Sequence, residues 1–446
     1  MARGKKKESA LTPEEKLAQA LVPEDEQPYK VPKNWIWSYI RCGYEVTSSK
    51  RVHKDDWISE GIPFYRTREL VKLSEQGYVD NELFISEEQY EEYKSAYGVP
   101  KINDLLISGV GTIGVPYIVN SAEKFYFKDG NIIWFKTKGL FLPKYSYYLY
   151  KSLFMDNQIH EMSSGTTVDT YTIINANNTL VPVPPIAEQQ RIVDRIEYLF
   201  AKLDEAKDKA QSVLDSFETR KAAILHKAFI GELTAKWRSE HGMELTQWVR
   251  KPLSKVTINH DSRRIPLSQA ERSNLERIYD YYGASGVIDK VDRFLFEGRH
   301  LLIGEDGANL VTRSKPIAFI ADGQYWVNNH AHVLSTTSEM ILDFLCYYIN
   351  SIDLVPYVTG SAQPKMTQAK MNGIPVPVPS APEQSEIVRI LDSLFAKEQQ
   401  AKEAAEAVLE KIDLLKKSIL ARAFHGELGT NDPTEPSALE LLKNNI

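Results

Sequence analysis

The sequence predicts an α+β protein built from two similar globular domains, each followed by one long amphipathic helix. Three observations predict it. First, one stretch occurs twice. Val181-Pro182-Val183-Pro184 leads through Glu188-Gln189 and Leu199-Phe200-Ala201-Lys202 to Ala228-Phe229 and Gly231-Glu232-Leu233. Val376-Pro377-Val378-Pro379 leads at identical offsets through Glu383-Gln384 and Leu394-Phe395-Ala396-Lys397 to Ala423-Phe424 and Gly426-Glu427-Leu428, with about half the aligned positions the same. Self-similarity of this length marks a duplicated unit. Second, apolar residues within each copy recur in alternating steps of four and three, the heptad rhythm. Third, the segment before each copy mixes short strand-like runs with helical ones in no fixed alternation, the pattern of an α+β domain.

The elements follow in order. Residues 1–32 read as an arm with a short helix from Thr12 to Leu21, capped by Thr12-Pro13-Glu14-Glu15; too short to hold shape alone, it must dock on something. Residues 33–180 form the first globular unit. Its strand-like runs are Trp35–Ile40, Ile62–Thr67, Asp104–Ser108, Val115–Val119 and Ile132–Phe135, with a helix over Tyr145–Met155. Residues 181–233 are the first spacer helix. Prolines lead in just before Glu188-Gln189, where a missing N–H costs nothing and an acidic residue suits the helix dipole. Its seam is Ile192, Ile196, Leu199, Leu203, Ala206 and Ala210, continued by Val213 and Phe217.

Residues 234–375 form a second unit like the first. Ile278–Gly286, Phe296–Ile303, Ile317–Ile320 and Trp326–Leu334 read as strands and turns, and Leu342–Asn350 as a helix. Residues 376–428 are the second spacer helix, with a seam at Ile387, Leu391, Leu394, Ala401, Ala405 and Val408, continued by Ile412. Glu398 breaks this seam where Leu203 stands in the first. Gly231 and Gly426 are C-terminal stops. Unbroken, a helix from Glu188 to Phe229 spans on the order of 60 Å, the length of a spacer. The two seams are expected to pack on each other. Residues 429–446 read as a tail, with a linker at Gly429–Pro433 and a last helical turn or two at Ser437–Lys443.

The chain has 446 residues, 43% of them hydrophobic, enough for two or three cored domains. It has no run of about 18 apolar residues, so no membrane span is expected. The start, Met1-Ala2-Arg3-Gly4-Lys5-Lys6-Lys7, is basic but no apolar stretch follows, which argues against a secretory signal. Cys42 and Cys346 are the only cysteines, a usage that suits the reducing cytoplasm. A formal net charge of −6 does not advertise nucleic-acid binding; DNA contact would need local patches or a partner that shares the charge.

Several motifs invite a chemical reading. Gly109-Val110-Gly111-Thr112-Ile113-Gly114 matches G-x-G-x-x-G, but a dinucleotide site needs a helix next and Val115–Val119 reads as a strand. A glycine turn is the simpler account. Asn328-Asn329-His330-Ala331-His332 puts two histidines on one strand face with no third metal ligand evident. Pro63-Phe64-Tyr65-Arg66-Thr67-Arg68 and Tyr281-Tyr282-Gly283-Ala284-Ser285-Gly286 mix aromatics, hydroxyls and, in the first, arginines. Arginine can bind guanine in bidentate fashion and hydroxyls reach phosphate. The candidate DNA-contacting residues of the first unit are therefore Tyr65, Arg66, Thr67, Arg68, Ser108, Thr112, Ser164, Thr166 and Thr167. Those of the second are Tyr281, Tyr282, Ser285, Asn309, Asn329, His330, Ser361, Gln363 and Lys365. No amino-methyltransferase motif, Walker loop or nuclease motif is present, so no catalytic residue and no metal ligand is assigned.

Two diverged heads, each followed by a near-identical rod that opens Pro-x-Pro-x-x-x-Glu-Gln and closes Ala-Phe-x-Gly-Glu-Leu, resemble the specificity (S) subunit of type I restriction–modification systems. The resemblance runs from Val31-Pro32-Lys33-Asn34-Trp35 to Leu428. It implies that the heads are target-recognition domains, each reading one half of an asymmetric bipartite site in double-stranded DNA. It implies that the rods pair antiparallel, set the spacing and dock two methyltransferase (M) subunits. S-adenosylmethionine would then belong to those partners, and ATP and magnesium to restriction (R) subunits of the full complex. This chain would hold no cofactor, catalyse nothing itself, touch no membrane and work in the cytoplasm. The competing readings are a coiled-coil protein-interaction scaffold without DNA binding, and the detached targeting half of a fused restriction–methylation enzyme.

Overall fold

The computed structural model describes residues 12–163, 168–360 and 363–445. The chain divides into two compact units, one of residues up to Lys209 together with Val408 onward, the other of Ala210–Ala407. Each unit thus holds one head, the opening half of the rod that follows it and the closing part of the other rod.

The heads share one strand order, with one more strand at the edge of the second head's second sheet. In the first, a four-stranded antiparallel sheet runs Tyr44–Thr47, Ile132–Thr137, Leu105–Ser108, Pro116–Ile118, and a second sheet runs Phe84–Ile85, Ile62–Tyr65, Tyr126–Phe127. In the second, the corresponding sheets run Thr257–Asn259, Ala331–Thr336, His300–Gly304, Ala318–Ala321, and Gly286–Val291, Tyr279–Gly283, Gln324–Val327, Phe296–Glu297. Each second sheet contains one parallel pairing, Ile62–Tyr65 with Tyr126–Phe127 and Tyr279–Gly283 with Gln324–Val327. A two-stranded clasp ties the start of each head to its rod: Ile36–Tyr39 pairs Leu180–Val183, and Val249–Pro252 pairs Pro375–Val378, both antiparallel. The Val-Pro-Val run is therefore a strand before it is a helix lead-in. Its prolines fit because such a ribbon has an edge that needs no donor.

The cores are continuous from sheet to rod. Leu105, Ile107, Phe135 and Tyr145 cluster with Ile192 and Ile196 of the first rod and Leu420, Ala423 and Phe424 of the second. In the other unit Leu301, Ile303, Leu334 and Phe344 cluster with Leu225, Ala228 and Phe229 of the first rod and Ile387 and Leu391 of the second. The rod segments in each unit are antiparallel. Lys416 lies over the Phe200 ring at 5.2 Å in one, and Lys221 over the Phe395 ring at 5.9 Å in the other. These four residues are duplicates of one another, so the crossing is reciprocal.

The second rod is a single helix, Ala381–Phe424, whereas the first is interrupted at Ser216, giving Ile186–Asp215 and Phe217–Phe229. Ser216 Oγ donates to the Ser212 carbonyl at 2.5 Å and accepts from Arg220, a back-bonding that loosens a helix locally. Both rods close as expected: Gly231 and Gly426 sit at φ +82° and +75°. Glu232 N–H and Glu427 N–H donate to the Lys227 and Arg422 carbonyls, the Schellman arrangement that requires a left-handed residue.

Two expectations need correction. The second-rod seam does not pass through Ala401 and Val408, which are exposed, but through Glu398, Lys402, Ala405, Leu409 and Ile412. An α-helix of 3.6 residues per turn drifts against a strict heptad, and one extra step of four brings the stripe back in phase. The single helix expected over Tyr145–Met155 is two, Pro143–Tyr150 and Leu153–Ser163. Ser152 Oγ donates to the Leu149 carbonyl and accepts from Met155 N–H between them. The last helical turns form as expected at Ala438–Lys443; Ala438 and Leu442 are buried in the first head's core, and Ala438 N–H donates to the Asn34 carbonyl. Glu188-Gln189 and Glu383-Gln384 lie in the first turns of their helices as expected, and all four are also buried. The arm helix, Pro13–Ala20, forms with Thr12 as its cap, and Ala20 packs into the first core.

Candidate nucleic-acid interface

The strand ends of each head converge on one rim, and the same backbone bonds build it twice. In the first head Lys128 N–H donates to the Tyr65 carbonyl, Gly109 N–H to Asn131 and Tyr171 N–H to Gly109, each at 2.8 Å. In the second, Asn328 N–H donates to the Tyr282 carbonyl (3.1 Å), Glu305 N–H to His330 (2.9 Å) and Met366 N–H to Glu305 (2.8 Å). A lone bridge closes each set, Val110 with Thr170 and Asp306 with Lys365. The frame is common and the side chains on it are not: Gly109, Asn131 and Thr170 in one head stand where Glu305, His330 and Lys365 stand in the other.

The first rim gathers Tyr65, Arg66, Thr67, Arg68 and the Gly109–Gly114 turn. That turn links two antiparallel strands, with Gly111 at φ +82° and Gly114 at φ +78°, and no helix follows it. Thr112 is exposed on it. Thr67 Oγ1 donates to the Asn131 carbonyl at 3.3 Å. The Tyr65 ring stacks on Phe125, centroids 5.2 Å apart, and burial, with the Tyr117 and Glu123 charges adding, pushes its hydroxyl up to about 12. Glu69, 2% exposed, accepts from Arg66 Nε (3.1 Å) and Nη2 (2.8 Å) and from Arg68 Nε (2.9 Å). Burial alone would raise its pKa, but these arginine bonds take it down to about 2. Ser108 is a correction. It is fully buried, and its hydroxyl accepts from Val115 N–H at 2.8 Å, so it shapes the turn instead of facing a ligand. Ser164, Thr166 and Thr167 lie outside the described residues.

The second rim gathers Tyr282, Ser285, Asn329, His330, Gln363 and Lys365. Asn329, His330, Gln363 and Lys365 are exposed, and Tyr282 is half-buried against Phe319. Tyr281 is a correction: it is 1% exposed, its hydroxyl bonds the Leu267 backbone and Arg272 covers its ring. Adjacent strand residues face opposite sides, so a Tyr-Tyr pair cannot have both rings outward. Asn309 braces its own loop, accepting from Ser314 Oγ and Lys315 N–H. Ser361 lies outside the described residues. The two histidines do not share a role. His330 is exposed and meets Asp306 at 2.8 Å, while buried His332 sets Nδ1 2.6 Å from Asp261 and Nε2 3.0 Å from the Met366 carbonyl. Partial burial of Asp261 would raise its pKa, but His332 and backbone donors lower it.

Sequence reasoning missed Glu69, Asn131, Glu305, Asp306 and Thr170. A signal existed only for Glu69, three residues after Arg66 at the spacing of a helix-capping acid. The others are joined by long-range pairing that local sequence does not report.

Each unit also contains a polar lock between head and rod. Glu188 accepts from Trp35 Nε1 (2.7 Å) and Asn431 Nδ2 (2.8 Å); Glu383 accepts from Trp248 Nε1 (2.9 Å), Thr234 Oγ1 (2.7 Å) and Arg238 Nη1 (2.6 Å). Gln189 accepts from Leu142 N–H and donates to Leu140 and Pro184, just as Gln384 accepts from Ile341 N–H and donates to Glu339 and Pro379. These two residues fasten head to rod, which is why the repeated stretch keeps them.

A tandem chain with two unlike rims on one repeated frame, joined through duplicated antiparallel helices, defines a class of two-headed specificity protein. The chain belongs to the type I restriction modification DNA specificity domain family, whose pattern matches residues 44–214 and 251–411. It is 36% identical over 147 residues to a putative type I restriction enzyme specificity subunit of Haemophilus influenzae, covering 33% of this chain and 37% of that one. It is 25% identical over 306 residues to the StySPI specificity subunit of Salmonella potsdam, covering 64% and 65%. These matched stretches span less than two thirds of either relative. The crystal structure of the HsdS subunit from Thermoanaerobacter tengcongensis superposes with a TM-score of 0.64 at 18% identity, over 90% of this chain and 99% of that one. It shares the fold.

Proposed function

We propose that this chain is the addressing subunit of a type I restriction–modification complex. Each rim reads one half of an asymmetric duplex site, the paired rods set the unread spacing, and methyltransferase subunits dock on them. The observation that carries this reading is the common backbone frame bearing different side chains: one scaffold, two specificities. Direct readout needs side chains that reach base edges. The candidates open to solvent are Arg68, Thr112 and the part-exposed Arg66 in the first head, and Asn329, His330, Gln363 and Lys365 in the second. The chain supplies no chemistry of its own. S-adenosylmethionine belongs to the methyltransferase partners, ATP and magnesium to a restriction partner, and the complex works in the cytoplasm.

Among the described residues no helix is long and apolar enough to cross a membrane. The net charge of −6 supports a reading in which the partners contribute much of the phosphate contact. A gel-shift titration across salt concentrations tests this. The chain alone should bind duplex DNA weakly, and the complex with methyltransferase subunits should bind far more tightly and with the steeper salt dependence. Equal affinity with and without the partner would overturn the shared-charge account. Mapping methylated adenines in cells with and without the gene tests the addressing role directly.

A further inference from the structure

We propose that Glu69 is a specificity-positioning residue that presents Arg66 to a guanine in the half-site read by the first head. This rests on the DNA-reading function above and names one contact within it. Glu69 takes Arg66 side-on, through Nε at 3.1 Å and Nη2 at 2.8 Å. Both carboxylate oxygens are used, so the guanidinium plane is fixed and not merely neutralised. The remaining edge, Nη1 and the second Nη2 hydrogen, has no bond to any described residue, and the Arg66 side chain is 30% exposed. That edge is the fork that fits guanine O6 and N7.

The carboxylate is itself held. It accepts from Arg66 N–H at 3.0 Å and from Arg68 Nε at 2.9 Å, and its side chain is 3% exposed. A ligand side chain oriented by a buried partner is more selective than a free one, because less rotamer freedom is lost on contact. Arg66 also sits on the rim: its neighbours Tyr65 and Thr67 bond Lys128 and Asn131.

The second head shows what an arginine used only for structure looks like. Arg264 Nη1 donates to Glu305 and to the Ala331 carbonyl, both at 2.7 Å, Nε donates to Asp261 O, and the side chain is 13% exposed. Its Nη2 lies 3.5 Å from Asp261 Oδ2, so no two-atom edge is left open there. Arg66 therefore presents an open fork on its rim where Arg264 presents none, a chemical difference between the two rims.

The test is selection from randomised duplex DNA by the full chain in complex with its methyltransferase subunits, using wild type, Glu69→Gln, Glu69→Asp, Arg66→Lys and Arg264→Lys. The wild-type site should hold a G·C pair in one half. Glu69→Gln and Arg66→Lys should each cut discrimination at that pair on the order of tenfold, leaving other positions and the other half-site unchanged. Glu69→Asp should retain part of it. Arg66→Lys keeps the charge and leaves Glu69 paired, so it reports even if Glu69→Gln folds poorly. A uniform loss of affinity across all sequences, or a half-site without a G·C pair sensitive to these residues, would show Glu69 to be a structural ion pair only. The same sensitivity in Arg264→Lys would overturn the assignment to the first head. Failure of the wild-type complex to select any site would sink the DNA-reading function itself, a distinct result.

Discussion

Single side chains decide how firmly each head sits on its rod. Glu383 and Glu188 occupy duplicate positions but face different partners. Glu383 pairs with Arg238, the two side chains 2% and 7% exposed, while Glu188 receives neutral donors from Trp35 and Asn431. Removing one member of a buried ion pair leaves an uncompensated charge and costs about 3–5 kcal/mol. Leaving neutral donors unmet costs about 1–3 kcal/mol. Glu383→Ala should therefore destabilise the chain more than Glu188→Ala, as read from denaturant midpoints. Glu69 gives a pH signature. Its pKa lies near 2 when folded, below the unfolded value, so its stabilisation is complete above the usual carboxylate range and lost as pH falls toward 2. The stability gap between wild type and Glu69→Gln should be on the order of 2 kcal/mol at neutral pH and shrink steadily in acid. A gap constant down to pH 2 would show that the ion pair does not carry it.

The rods show what an element can do beyond its periodicity. Where the first seam has Leu203, the second has Glu398, and within the second unit Arg220 Nε meets Glu398 at 2.8 Å. The duplicate of Arg220 is Leu415. One half of the repeat therefore uses a charge pair where the other has leucines, a device that opposes pairing each helix with a copy of itself. Arg220→Leu alone should cost about 1–2 kcal/mol by stranding a half-buried carboxylate. Adding Glu398→Leu should restore most of that in a double-mutant cycle. The double variant should also lose some preference for intramolecular pairing, visible as dimer by light scattering. Purely additive losses would deny the pair its role.

At the scale of the whole chain, the ends matter as much as the middle. Arg191 holds Glu435 through two bonds of 2.8 Å, and Leu442 is fully buried in the first core. Truncation after Gly429 should lower the stability of the first unit by at least about 2 kcal/mol, from Leu442 burial alone, and leave the unfolding of Ala210–Ala407 in place. Inserting four residues at matching points of both rods should lengthen the unread spacer of the recognised site and keep both half-sites. Altered half-sites would mean that the rods do more than measure.

The sequence by itself determined the duplication, the α+β heads, the amphipathic rods with their glycine stops, and the family. Each is written in local composition and periodicity, which survive without knowledge of distant contacts. Tertiary structure alone decided the rest. It moved Ala401 and Val408 off the seam, since helical phase accumulates over a length no single heptad reveals. It buried Ser108 and Tyr281, since strand parity decides which neighbour faces water. It made the helix openers Glu188-Gln189 and Glu383-Gln384 into locks as well, since their partners Trp35, Asn431, Trp248 and Arg238 come from segments far away in the chain. And it assembled each rim from four strand ends, an arrangement that pairing between distant residues creates and that no window of adjacent residues contains.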